Sequence, residues 1–157
     1  MKTKLFLGLL TLSVVAGLSA KQSTSPATTE KEIRDLEQKI NASYAANDLP
    51  AYFSAYAPDA TQWLPEGRTA LDAYKKDWTA YIAAGNKVQA VEISDLQVQV
   101  SPSLDAAVAS YILHVKTKLV DGKVTDEDNQ ETDVFFKRNG SWKIVELHYS
   151  LIPKKAQ

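Results

Sequence analysis

The stretch "ETDVFFKRNGSWKIVELHYS", residues 131–150, decides how this chain is built. Apolar and polar residues alternate on either side of Asn139-Gly140, and an Asn-Gly pair between two such runs is the strongest short-range signal for a β-hairpin. Successive side chains in a strand point to opposite faces, so parity sorts the second half of the segment. Val145, Leu147, Tyr149 and Leu151 are expected to face a core. Trp142, Ile144, Glu146, His148 and Ser150 are expected to face away from it.

Upstream, "KVQAVEISDLQVQV" (87–100) and "AAVASYILHVKTKLV" (106–120) keep the same period of two. "SPSLD" and "DGKVTDED" separate the runs, so residues 87–152 read as a long antiparallel meander. By parity Ala107, Ala109, Tyr111, Leu113 and Val115 face inward, whereas Ile112, His114, Lys116 and Lys118 face outward. Both histidines thereby leave the interior.

Before residue 87 the period is helical. Thr29 and Glu32 have capping-box spacing, and Ile33, Leu36, Ile40 and Tyr44 form one apolar stripe, which predicts a helix over about 30–46. Asp48 and Pro50 open a second short helix through "PAYFSAY" that Pro58 ends. "ATQWL" reads as a short strand. Thr69 and Asp72 repeat the capping spacing ahead of a third helix, with Leu71, Tyr74, Trp78 and Tyr81 on one face and Gly85 at its end. Three N-terminal helices packed on a curved antiparallel sheet make an α+β fold.

The first 20 residues, "MKTKLFLGLLTLSVVAGLSA", have two lysines, an apolar run and then small residues, the layout of a secretory signal peptide. The run is shorter than the ~20 apolar residues of a comfortable span, so cleavage near Ala20 and no stable membrane insertion are expected. Export to the periplasm or medium follows. Residues 21–28 read as a flexible leader and 29–153 as one domain. Loss of Lys2 and Lys4 takes the formal net charge from −1 to −3 and leaves no basic cluster, which argues against a nucleic-acid partner. The chain has no cysteine, so disulfides, thiol catalysis and thiolate metal sites are closed to it.

"DLPAYFSAYAPDA" (48–60), "EGRTAL" (66–71) and "WKIVELHYS" (142–150), in that order around the helices and meander, resemble the nuclear transport factor 2-like superfamily over nearly all of residues 30–152. Within it the chain is similar to SnoaL-like exported proteins and to the association domain of calcium/calmodulin-dependent protein kinase II. The resemblance implies a cone: a bent sheet around helices, a pocket at the open end, and a homodimer formed through the outer sheet face. Such folds host isomerases, cyclases, dehydratases, adaptors and assembly hubs, so the fold alone does not name a reaction.

The family alignment further implies that Glu131, Asp133 and Phe135 face the helices. Asp133 would then point at Tyr111, Leu113 and Tyr149, where desolvation raises a carboxyl pKa and suits it to acid, base or ligand-anchor work. It is the candidate catalytic group; the alternative is a solvated acid on the rim. Tyr56, Trp63 and Trp78 are candidate pocket aromatics, or else core. Ketosteroid isomerases of the superfamily carry a tyrosine and an aspartate where this chain has Ile40 and Leu64, so that route is not expected. Kinase association domains line the pocket with arginines at positions that here hold Leu113, Asp133 and Tyr149, which implies rejection of anions.

No shared metal is expected for His114, Glu146 and His148, because an intervening strand separates the two histidines by about 9–10 Å. A Ser-His-Asp arrangement and a cofactor site are likewise not expected. Binding of a neutral or cationic small molecule without catalysis, an isomerase, cyclase or lyase using Asp133, and an assembly domain remain as three readings.

Overall fold

The computed structural model describes residues 25–154, so the predicted signal segment and the first half of the predicted leader, 21–24, lie outside the described residues, while 26–28 belong to a helix. Its elements are α1 (Pro26–Ala45), α2 (Leu49–Ser54), β1 (Tyr56–Leu64), β2 (Gly67–Ala70), α3 (Leu71–Ala83), β3 (Lys87–Val100), β4 (Ala106–Lys118), β5 (Val124–Arg138) and β6 (Ser141–Leu151). The helices pack against one face of a single six-stranded sheet ordered β2-β1-β6-β5-β4-β3.

The meander from β3 to β6 is antiparallel throughout, and the 139–140 turn has positive φ at both residues, as a type I′ hairpin requires. The sheet as a whole is mixed, which corrects the all-antiparallel expectation. β1 lies parallel to β6, and β2 folds back onto β1 as a short hairpin. The direction of β1 follows from the long connection through α3 and the meander, which no local pattern records.

Several boundaries moved for identifiable reasons. Helix α1 begins at Pro26 with Ser25 as its cap, the Ser25 hydroxyl accepting from Thr28 N at 3.2 Å. Thr29 is fully buried one turn later, and Glu32 accepts from Trp142 Nε1 at 3.0 Å instead of closing a capping box. Asp48 does cap α2, accepting from Ala51 N at 3.1 Å. Pro58 does not end that helix; it lies exposed in β1, before the stretch that pairs with β2, where a missing N–H costs no ladder bond on that side. Thr69 belongs to β2, so α3 starts at Leu71 without a side-chain cap. Strand β5 starts at Val124 and takes in the acidic stretch read as a loop. The opposed pairs Lys116–Asp126 (3.2 Å) and His114–Asp128 (2.6 Å) explain how so polar a segment joins a strand.

Side chains of the concave face line up in rows across the strands. Ala107, Phe135, Ile144 and Tyr56 form one row, Ala109, Asp133, Leu147 and Gln62 the next, and Tyr111, Glu131 and Tyr149 a third. The first row is core, packed with Ile33 and Ile40 of α1 and Phe53 of α2. Ile144 was expected to point outward. A bulge at Val145 puts Val134 opposite Glu146 but Phe135 opposite Ile144, so parity inverts and Ile144 is fully buried. Leu151, expected inward, is exposed at the strand's end. Strand β3 carries two further irregularities, one at Asp95 with φ 53°, and such extra residues bend an edge strand.

Candidate functional site

A cavity of about 620 Å³ opens between the helices and the concave face. Its walls follow from the amphipathic stripes: α1 contributes Tyr44, α2 Tyr52, and α3 Tyr74, Trp78 and Tyr81, spaced so that each turn adds a ring. Tyr44 and Trp78 stack at 5.5 Å between ring centroids, and Trp78 stacks on Tyr81 at 4.9 Å. Tyr52 links the hydroxyls of Tyr56 (2.6 Å) and Tyr74 (3.2 Å). Leu113 of β4, Leu147 and Tyr149 of β6 and Leu64 of β1 complete the apolar surface. Four carboxyl groups, Glu66, Asp77, Glu127 and Glu131, line it as well, and among the described residues no lysine, arginine or histidine does.

Beneath this surface sits a cluster that only the fold assembles. The Tyr111 hydroxyl donates to Glu131 Oε1 at 2.6 Å and approaches Asp133 Oδ2 at 3.2 Å, while Asn41 Nδ2 reaches that hydroxyl at 3.4 Å. Glu37 of α1 is fully buried beside them. The Glu37 and Asp133 carboxyls stand close enough to share a hydrogen bond when one is protonated, and among the described residues no other donor serves Glu37 Oε1, Glu37 Oε2 or Asp133 Oδ1. Three carboxyls in one desolvated space cannot all ionise. Burial, followed by the charge of Glu131, pushes Glu37 up to about 8. Burial pushes Glu131 up to about 7 against the opposing pull of the Tyr111 hydrogen bond. Asp133 rises well above the ordinary carboxylate range through burial first, then the charges of Glu37 and Glu131. Burial and the same acids hold the Tyr111 phenol protonated.

The predicted site residues scatter around this centre. Tyr149, Leu113 and Trp78 line the cavity. Asp133 points inward with no exposed surface, yet it lies one strand step deeper and does not reach the cavity wall. Glu131, two residues earlier on the same face, is the acid that does. Tyr111 is buried between those acids, and Tyr56 is buried behind Tyr52. Trp63 is 45% exposed, because Gln62 and Leu64 hold the inward parity of β1. Glu37 was missed at the sequence level. Its signal was position: it follows Ile33 by one helical turn and precedes Ile40 by three residues, inside the apolar stripe.

The outer face holds an arrangement that the sequence reading excluded. Ser94 Oγ lies 2.9 Å from His114 Nε2, and His114 Nδ1 lies 2.6 Å from Asp128 Oδ1, in one line across β3, β4 and β5. The His114 and Asp128 side chains are 39% and 46% exposed, and the line ties three strands together away from the cavity. Glu146 and His148 stand on β6, with β5 between them and His114. Among the described residues no group of three or more histidines or acids is placed to hold a metal ion.

The family model of the calcium/calmodulin dependent protein kinase II association domain matches residues 29–153. Solved structures with the same fold include the CaMKII hub homology domain of Chlamydomonas reinhardtii, 26% identical over 79% of this chain and 98% of that one, with a TM-score of 0.64. The association domain of C. elegans CaMKII is 19% identical, covering 80% and 97% of the two chains, with a TM-score of 0.65. A nuclear transport factor 2-like superfamily protein of Salmonella enterica is 20% identical over 84% and 96%, with a TM-score of 0.72. None of the curated proteins matches this chain.

Proposed function

Because the chain belongs to the calcium/calmodulin dependent protein kinase II association domain family and has the nuclear transport factor 2-like fold, we propose that it is an exported protein that binds a small neutral or cationic molecule in its cone. The observation that carries this reading is the cavity itself. Its volume falls in the range of roughly 300–1,000 Å³ common to ligand sites, six aromatic rings wall it, and every ionisable lining group other than a tyrosine is an acid. An arginine-lined pocket would invite carboxylates; this one repels them. An acid/base reaction is the alternative, and its group would be Glu131 in place of Asp133, since a general acid must touch its substrate.

Export rests on the N-terminal sequence pattern. A second copy on the outer sheet face is also proposed, because Phe136 stands 42% exposed there, two residues from the partly buried Val134 on the same face.

Protein-observed NMR against a fragment library tests the cavity. Shifts should cluster on Trp78, Tyr149 and Leu113 for aromatic neutral and cationic fragments, with none for carboxylates. Carboxylate fragments that bind there, or hits confined to the outer face, would overturn the reading.

A further inference from the structure

Among the described residues the acids of the cone have no countercharge. The seven ion pairs among the described residues join Lys31–Asp35, Arg34–Glu30, His114–Asp128, Lys116–Asp126, Lys123–Asp121, Lys137–Glu32 and Arg138–Asp59. Not one includes an acid of the cavity or of the cluster beneath it. Buried carboxylates are otherwise paired or neutralised, and among the described residues no cation pairs with these. Two species can fill that role: a proton or a positively charged ligand.

Taking the cavity as a ligand site, we propose that it binds an organic ammonium group, which sits against Glu131 beside the ring of Tyr149 and displaces a proton from the Glu37–Glu131–Asp133 cluster. Ring faces attract ammonium groups, most strongly where water is excluded, and Glu131 is the cluster member that reaches the cavity. Rings in place of oxygen ligands disfavour a bare metal ion, which needs six or more oxygens or a tetrahedral donor set. The neighbouring carboxyls of Glu37 and Asp133, raised by burial, keep the remaining protons of the cluster.

The groups facing Glu131 set the sign of the pH dependence. From α1 come Glu37 and Tyr44, from α2 Tyr52, from α3 Tyr74, from β4 Tyr111, from β5 Asp133, and from β6 Tyr149. None is a base, and burial holds the tyrosines protonated. The titrating groups near neutrality are therefore the carboxyls, with Glu131 pushed up to about 7 and Glu37 to about 8. Below those values a cation competes with the protons. Affinity for a cation must rise with pH through about 6 to 8, by up to roughly tenfold per pH unit when one proton leaves.

Isothermal titration of the mature protein at pH 6, 7 and 8, in buffers of different ionisation enthalpy, tests this with matched probes. Choline is set against its neutral isostere 3,3-dimethylbutan-1-ol, and tryptamine against 3-ethylindole; both cations keep their charge over this range. At pH 8 at least one cation should bind about tenfold or more tightly than its isostere, with the advantage shrinking toward pH 6, where close to one proton should be released on binding. Glu131→Gln should remove the preference and the proton release while sparing the isostere. Isosteres that bind as well as the cations, or a cation affinity flat with pH in the native protein, would overturn the proposal and leave the cavity reading intact. Failure of all four probes at millimolar concentration would overturn both. The native pH profile decides the matter even if the Glu131 variant does not fold.

Discussion

Asp128 and Asp133 stand on the same strand with opposite parity, and their surroundings have nothing in common. Asp128 faces out, half exposed, with His114 Nδ1 at 2.6 Å and Ser94 behind it. Asp133 faces in, fully buried, with a phenol at 3.2 Å and two more acids for company. Parity alone turns one residue type into a strand tie and the other into a proton store. The outer face settles its charges by cross-strand pairing in water, where such pairs contribute little. The inner face settles its own by staying neutral, which water cannot assist.

The contrast breaks first, and by the most, in the inner row that holds no charge. Phe135 is fully buried between Ala107 and Ile144, so Phe135→Ala should cost about 3–5 kcal/mol in urea unfolding. A loss below about 1 kcal/mol would mean that the cone is not packed around this row.

Next comes the pH dependence of the inner acids. Their folded pKa values lie above those of the unfolded chain, so the folded state binds more protons. The associated stability is complete below about pH 4.5 and is lost as pH rises through about 7 to 8, the values to which Glu131 and Glu37 are pushed. Thermal unfolding should thus weaken from pH 5 to pH 8. Glu37→Gln keeps the shape, removes one titrating group, and should flatten that decline, with a gain at pH 8 on the order of 2 kcal/mol. A steeper decline in the variant would contradict the cluster.

On the outer face the effect on folding should be smallest. Phe136→Glu is a surface change expected to stay within about 0.5 kcal/mol for the protomer. It should nonetheless turn a dimer into a monomer in light scattering. A native monomer at micromolar concentration would remove the proposed interface, and a large loss of stability would show that Phe136 belongs to the core.

How far the chain could be read depends on whether a feature is periodic. The Asn139-Gly140 turn, the inward run Ala107 to Val115 and the α1 stripe are periodic, and they led to the fold. Parity failed at Ile144 because a bulge at Val145 inserts one residue, and nothing in "WKIVEL" announces it. The parallel placement of β1 is a product of chain path. Asp133 was legible as an inward acid, yet its depth was not, since one strand step separates a wall from what lies under it. Glu37 was hidden by its chemistry: a glutamate inside a helix reads as solvent-facing unless its neighbours at three and four residues are weighed. The strand pairing that brings Ser94 to His114 joins residues far apart in the chain, and no spacing encodes it.

The inner acids are expected to hold protons near neutral pH. Carbon-detected NMR of the side-chain carboxyls of Glu131, Asp133 and Glu37, titrated from pH 3 to pH 9, measures this directly. Glu131 should titrate near 7 and Glu37 near 8, with Asp133 still protonated well above the ordinary range and the exposed acids Asp59 and Asp105 ionised at the acid end. Three ordinary midpoints near 4 would contradict it, since carboxylates charged at neutral pH could not share this space without a cation, and none pairs with them among the described residues.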